Sequence, residues 1–354
     1  MSLSLREIKP QLSIQNRNSL KYEKSEQGIM NDKTNRRNFI LGSVAAATAI
    51  GYKAVSQKPQ QTVALSEIPS SMPERVLGKT NVSLPLLGLG GAGKTPISNR
   101  GREGEAIALI QKALELGIRY FDTAENYGGG TSEQQFGKVL PPYRDSIYIN
   151  SKTDARDYDG AWRHLEQSLH NLNTDYLDCW QMHHVSFTEE LDEIFSSNGA
   201  IKAVEEAKAQ GLIKFSGITG HHEPDVIAEA LQRYDFDTTL ISLNAADVHH
   251  PRPFSTTVLP VAQAKNVGVI AMKVPAYGRL FKPNLLSGME QAMGYSLSLP
   301  GVHCCVIAAE NPQQLESNVT VAQNYQALTQ AQMQQIEQLT VNAGDDGLFF
   351  RRWT

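Results

Sequence analysis

Asp122, Tyr127, Lys152 and His183 have side chains that fit a single proton-relay site, and each stands at or just beyond the end of a short apolar run. A tyrosine hydroxyl ordinarily titrates near ~10, so it acts as a general acid around neutral pH only where a nearby cation stabilises its phenolate. Lys152 would be that cation. A buried lysine tends to lose its proton and needs a carboxylate to keep its charge, a part Asp122 can take. His183 could then orient a carbonyl oxygen beside the tyrosine. Taken singly, each residue has a plainer reading as helix cap, loop aromatic, surface charge or satisfied strand-end histidine. Their joint spacing favours the shared site.

The elements that must position them follow from the apolar pattern. The runs 118–121, 146–150 and 176–182 are separated by polar, helix-patterned stretches of about 20 residues, the rhythm of strand, helix, strand. If the strands are parallel, their carboxyl ends share one face, where the chemistry of α/β folds gathers. Four polar side chains then converge from three consecutive strand ends.

Several motifs extend this reading. Glu74 to Thr80 (ERVLGKT) and Leu84 to Gly90 (LPLLGLG) precede Gly117 to Tyr127 (GIRYFDTAENY), which is followed by Ser132, Glu133 and Phe136 to Lys138. Further on stand Ser151 to Thr153 (SKT), Tyr176 to His183 (YLDCWQMH) and Gln210 to Lys214 (QGLIK). From Pro73 to about Asn324 the chain resembles the aldo-keto reductase family. The resemblance implies an α/β fold, a (β/α)8 TIM barrel with an N-terminal β-hairpin and a C-terminal extra helix. It also implies NADP or NAD as cofactor, Tyr127 as proton donor, and Lys152, Asp122 and His183 in support.

Departures from the family's pattern bear on the cofactor. Thr219 and Gly220 stand where many members carry a Ser-Asn pair, and Leu240 where a glutamine is usual. Met272 replaces the stacking aromatic, followed by Lys273, Tyr277, Gly278 and Arg279; a polarizable thioether can still lie on a ring face. Between Val306 and Asn318 the positions that commonly grip a 2'-phosphate are uncharged, and Glu310 is acidic. The expectation is weak discrimination for NADP over NAD unless Lys273 or Arg279 reaches the phosphate. The resemblance makes Thr219, Met272, Lys273, Gly278, Arg279, Gln314 and Asn318 the cofactor-binding candidates.

Two other patterns compete. Gly88 to Thr95 (GLGGAGKT) satisfies the text of a P-loop, but Pro96, Ser98, Asn99 and Gly101 follow at once and the next helical period starts near Glu103. No helix opens at Gly93 to meet phosphate, so the run reads as a glycine-rich loop letting backbone approach the cofactor. Six of nine histidines form adjacent pairs, His183-His184, His221-His222 and His249-His250. Clustered imidazoles suggest a transition metal and hence a hydrolase. Adjacent side chains on extended chain point opposite ways, so at most one of each pair should face the centre. The reading is no bound metal, with His184 and His221 as substrate or cofactor contacts.

Hydrophobic residues make up 41% and charged residues 20% of 354, with a formal net charge of −4, which leaves no nucleic-acid footprint. The domain reading is an extension with a signal at 1–58, a linker at 59–72, the barrel at 73–328, and a helix and tail at 329–354. Asn35 to Leu41 (NRRNFIL) followed by a small-residue apolar stretch to Ile50 resembles a twin-arginine export signal. Translation from Met30 would give it a short charged start. This predicts the twin-arginine translocation machinery as a partner, export to the periplasm or cell envelope, and a membrane tether if the signal stays uncleaved. Cys179, Cys304 and Cys305 fall in strands and read as buried thiols. Leu328, Met333, Ile336 and Leu339 should form the apolar face of the last helix, and the Phe349, Phe350, Trp353 tail either covers the mouth or simply packs.

The substrate is expected to be a small carbonyl compound or sugar, held by the segments 185–198 and 247–257. Phe187, Phe195 and Phe254 would make that pocket partly aromatic. The alternative to an oxidoreductase is a barrel that kept nucleotide binding and lost turnover.

Overall fold

The computed structural model describes residues 72–354; the twin-arginine motif, the alternative start at Met30 and the linker up to residue 71 lie outside the described residues, while Met72, given to the linker, is buried in the core. A two-stranded antiparallel hairpin, β1 (Glu74–Val76) and β2 (Ser83–Pro85), precedes eight parallel strands. These are β3 (Leu87–Gly90), β4 (Tyr120–Asp122), β5 (Tyr148–Thr153), β6 (Leu177–Met182), β7 (Ile213–Gly220), β8 (Thr238–Ser242), β9 (Gly268–Met272) and β10 (Val302–Ile307). They close into a barrel in which β10 pairs with both β9 and β3. With helices between the strands, this is the (β/α)8 TIM barrel expected from the motifs.

Alternation along each strand sorts side chains between two environments. Outward-facing Phe121, Ile149, Trp180 and Ile218 join the helices in one continuous apolar layer. Inward-facing Tyr120, Tyr148, Cys179, Leu240, Ile270 and Cys304 form a second cluster, to which Leu77 and Leu84 of the hairpin belong. The hairpin therefore plugs the lower end of the barrel. Beside this apolar cluster, of which Leu240 reaches up to the mouth, the interior carries a polar set, with Asp122, Asn150, Gln181 and Thr238 all buried. The register sets Asp122 beside Asn150 and Lys152 beside Gln181, so both charges enter above the apolar layer.

The glycine-rich segment after β3 forms no helix before Glu103–Glu115. Within this run Gly90 lines the mouth of the barrel, whereas Gly91 is required by packing. A Cβ at Gly91 would lie 2.2 Å from Ser132 Oγ and 2.7 Å from Phe136. On the next loop Gly128 has φ +62°, and a Cβ there would meet Ser98 O at 2.1 Å, so only glycine lets the Tyr127 loop lie against the loop after β3.

The last helix spans Gln330–Thr340, capped by Thr329, whose side chain accepts from Gln332 N. Ile336 is buried and Met333 partly so, but Leu339 is 37% exposed, so the apolar face is narrower than expected. No helix among the described residues is long and apolar enough to cross a membrane.

Candidate active site

The centre of the barrel mouth is a buried ion pair. Lys152 Nζ donates to Asp122 Oδ2 at 2.8 Å and to Thr123 O at 2.5 Å, with the lysine 1% and the aspartate 4% exposed. The other carboxylate oxygen accepts from Asn150 Nδ2 at 2.6 Å and Tyr120 OH at 3.2 Å. Asn150 also donates to Gln181 Oε1, and Gln181 donates to Thr238 Oγ1. This polar ladder satisfies a charge pair that would be costly in isolation.

Tyr127 lies over the pair, its ring centroid 4.9 Å from Lys152 Nζ. Burial, and then the Asp122 charge, hold its hydroxyl well above the ordinary tyrosine range, so the phenol keeps its proton. Its hydroxyl is 3.5 Å from His183 Nε2. Asn126 Nδ2 lies 3.4 Å from His183 Nδ1; as the amide can only donate, the ring is assigned the tautomer with hydrogen on Nε2. Burial and the nearby Lys152 push His183 well below its usual range, keeping it neutral. Two O–H and N–H donors thus converge on one point, where they can hold and protonate an oxygen. Arg156 Nη2 donates to His183 O at 2.8 Å and pairs with Glu190, fixing the histidine's backbone.

Two chambers meet at Tyr127. A cleft of about 940 Å³ runs from Asp122 and Tyr127 past Gly90, Leu240, Met272, Lys273 and Gly278 to Glu310 and Gln314, with Lys94 on its rim. A second, of about 720 Å³, is bounded by Lys152, His183, His184, Thr219, His221 and Trp353. Ala92, Met272, Lys273 and Tyr277 line both. The Lys273 ammonium sits 4.6 Å from the Trp353 ring and 5.0 Å from that of Tyr277. Burial, then Lys152, brings it down to about 8, while Asp122 acts in the other direction.

Several sequence expectations need correction. Arg279 is exposed and its guanidinium lies 3.9 Å from the Phe349 ring, turned onto the tail. Asn318 is buried one helical turn beyond Gln314, which lines the cleft. His183 and His184 both line the mouth, because His184 has φ +35° and the chain is no longer extended there. His221 lines it too; its neighbour His222 instead contacts Arg351 O through Nδ1. His249 bonds Glu337 O and Thr340, and His250 contacts Arg351, so the third pair clamps the C-terminal segment. Phe254 is fully buried and Phe195 packs on Tyr234 and Phe236, so neither builds a substrate pocket.

The C-terminal tail takes that place. Arg351 Nη2 donates to Asp247 Oδ1 at 2.6 Å and Asn244 donates to Gly347 O at 3.0 Å, pinning the tail so that Trp353 meets His221 and Tyr277 at the mouth. Of the two readings of the tail, Trp353 takes the one that covers the mouth, and Lys94 of the glycine-rich run stands at the cleft without a helix opening there. Asn126, adjacent to Tyr127 in the motif, carried a readable signal.

A model of the aldo/keto reductase family matches residues 86–289. The chain belongs to the aldo/keto reductase family. Among family relatives, L-galactose dehydrogenase of Arabidopsis thaliana is 28% identical over 290 residues, covering 72% of this chain and 89% of that protein. D-threo-aldose 1-dehydrogenase of a Pseudomonas species is 26% identical, covering 58% and 70%. An aldo-keto reductase from Bacillus halodurans, solved in its holo form, superposes with a TM-score of 0.64 at 26% identity, covering 76% of this chain and 96% of that one.

Removing Asp122 leaves the Lys152 ammonium buried without a counter-charge. Asp122→Ala should lower stability by about 3–5 kcal/mol in urea unfolding; a loss below about 1 kcal/mol would show that the pair does not organise the barrel mouth.

Proposed function

We propose that this aldo/keto reductase interconverts a carbonyl and an alcohol with NAD(P)(H) as cofactor, Tyr127 acting as general acid in reduction and as base in oxidation. The observation that carries this reading is the position of Tyr127, over the Lys152–Asp122 pair and at the junction of the two chambers. The cleft suits a dinucleotide: its lining runs from the proton donor Tyr127 to Glu310 and Gln314 at the N-terminus of the helix Pro312–Gln323. Gly90, Met272, Lys273, Gly278 and Gln314 would hold the cofactor, with Met272 against the nicotinamide ring.

The cofactor supplies a hydride to the carbonyl carbon or accepts one from the alcohol. A substrate oxygen placed between Tyr127 OH and His183 Nε2 is held by both donors. As negative charge grows on that oxygen the tyrosine proton moves to it, and the resulting phenolate is stabilised by the Lys152 ammonium. Asp122, 2.8 Å from that ammonium, is its counter-charge. His184, Thr219 and His221 present neutral polar groups in the second chamber, His221 being pushed down to about 3 by burial and then by Lys273. Neutral donors and acceptors suit a hydroxylated substrate, and the names of the two sugar-oxidising relatives favour a small sugar or aldehyde. Glu310 at the rim argues against strong selection for a 2'-phosphate, although exposed Lys94 could meet one. Export through the twin-arginine pathway, carried by Arg36, Arg37 and the following apolar run, goes with this reading.

Tyr127→Phe should lower turnover by about a hundred- to ten-thousandfold while leaving nucleotide affinity unchanged; full activity in the variant would remove Tyr127 from the chemistry. Lys273 is charged below about pH 8 and neutral above, so NADPH should bind about tenfold more weakly at pH 9 than at pH 7. Lys273→Met should flatten that pH dependence, and an unchanged slope in the variant would assign it elsewhere.

A further inference from the structure

Just outside the tetrad, Glu125, Asp154 and His164 each bring one ligand atom within 4.8 Å of the others. His164 Nδ1 is 3.6 Å from Glu125 Oε1 and 3.5 Å from Asp154 Oδ1. The three come from separate segments: the loop after β4, the residue following β5, and the helix Tyr158–Leu172. The Glu125 side chain is only 8% exposed, and its Oε2 is buried with no hydrogen-bond partner. Among the described residues neither carboxylate is paired with a lysine or arginine. Two adjacent carboxylates, one of them buried with an unsatisfied oxygen, are relieved either by a shared proton or by a positive charge between them, and His164 adds a third donor atom facing the same point. One imidazole with two carboxylates is the donor set of borderline divalent ions such as Zn²⁺ and Mn²⁺.

We propose that Glu125, Asp154 and His164 form a divalent-cation site on the rim of the barrel, with water completing the coordination shell. Thr153 Oγ1 now lies 2.9 Å from His164 Nδ1 and accepts from Ala155 N at 3.1 Å. A cation takes over the Nδ1 lone pair and leaves the threonine its backbone partner.

The site reaches the tetrad through Asn126. Its Nδ2 is 3.3 Å from Asp154 Oδ2 and 3.4 Å from His183 Nδ1, and Asp154 N donates to Glu125 Oε1 at 3.1 Å. A bound cation therefore braces the loop carrying Tyr127 and the amide that sets the His183 tautomer. Asn126 is a positioning residue in this scheme. Cation binding itself does not depend on the oxidoreductase reading, so the two stand or fall separately.

The test is equilibrium dialysis of the full chain, stripped with a chelator, against Zn²⁺ alone and Mn²⁺ alone, with bound metal quantified. Saturable uptake of a single ion per chain is expected for at least one metal. Glu125→Gln and His164→Ala should each weaken it at least about tenfold, with circular dichroism confirming the fold. If Glu125→Gln does not fold, Asp154→Asn, at a partly exposed side chain, carries the same expectation. Absence of saturable uptake would overturn the site, as would uptake that survives the folded variants unchanged, since the ion would then lie elsewhere.

Discussion

The rest of this structure depends on one buried ion pair, Lys152 with Asp122. In a protein interior the attraction between such charges is large, but so is the cost of taking them out of water, and only saturation of the remaining hydrogen-bonding positions makes the arrangement tolerable. Asp122 meets that condition with Asn150 and Tyr120, and Asn150 passes the demand on to Gln181 and Thr238. The ladder spans four strands, so a one-residue slip in any of them would turn its polar side chain into the apolar outer layer. Structural and chemical constraint coincide here: the ammonium that would stabilise a phenolate is the one the barrel has to satisfy.

Around that pair the molecule is divided by depth. The hairpin residues Leu77 and Leu84 belong to the dry lower cluster, the polar ladder occupies the middle, and loops at the carboxyl ends form the two chambers. Motif residues remote from the chemistry hold these loops. Thr123 Oγ1 donates to Ser132 Oγ at 2.8 Å, and Ser151 donates to Glu133 Oε1 at 2.6 Å, tying the outer face of β5 and the loop after β4 to the helix Thr131–Val139. The tail closes the second chamber because Arg351, itself buried, is anchored to Asp247.

Much of this was legible in the sequence where a local pattern carried it. Strand ends followed from short apolar runs, and the meeting of Asp122, Tyr127, Lys152 and His183 followed from their positions at those ends. Illegible features rest on single backbone angles or on contacts between distant segments. The left-handed conformation of His184 brings both members of a histidine pair to the mouth, against the alternation rule. Arg279 is placed with the cofactor by the family resemblance, yet it stacks on Phe349, a residue 70 positions away. Phe195 and Phe254 lie in segments expected to line a pocket and are absorbed by the core, because loop shape does not follow from residue order. Asn318 lies one helical turn beyond Gln314 on the same helix and is buried.

The central claim is that the long cleft binds a nicotinamide dinucleotide with its reactive end at Tyr127. Titration of the purified protein with NADPH and then NADH, followed by quenching of its tryptophan fluorescence, tests this most directly. Saturable binding of at least one nucleotide with a Kd on the order of micromolar, and a preference between the two below about a hundredfold given the uncharged 2'-phosphate positions, is the predicted result. Failure of both nucleotides to bind would contradict the account.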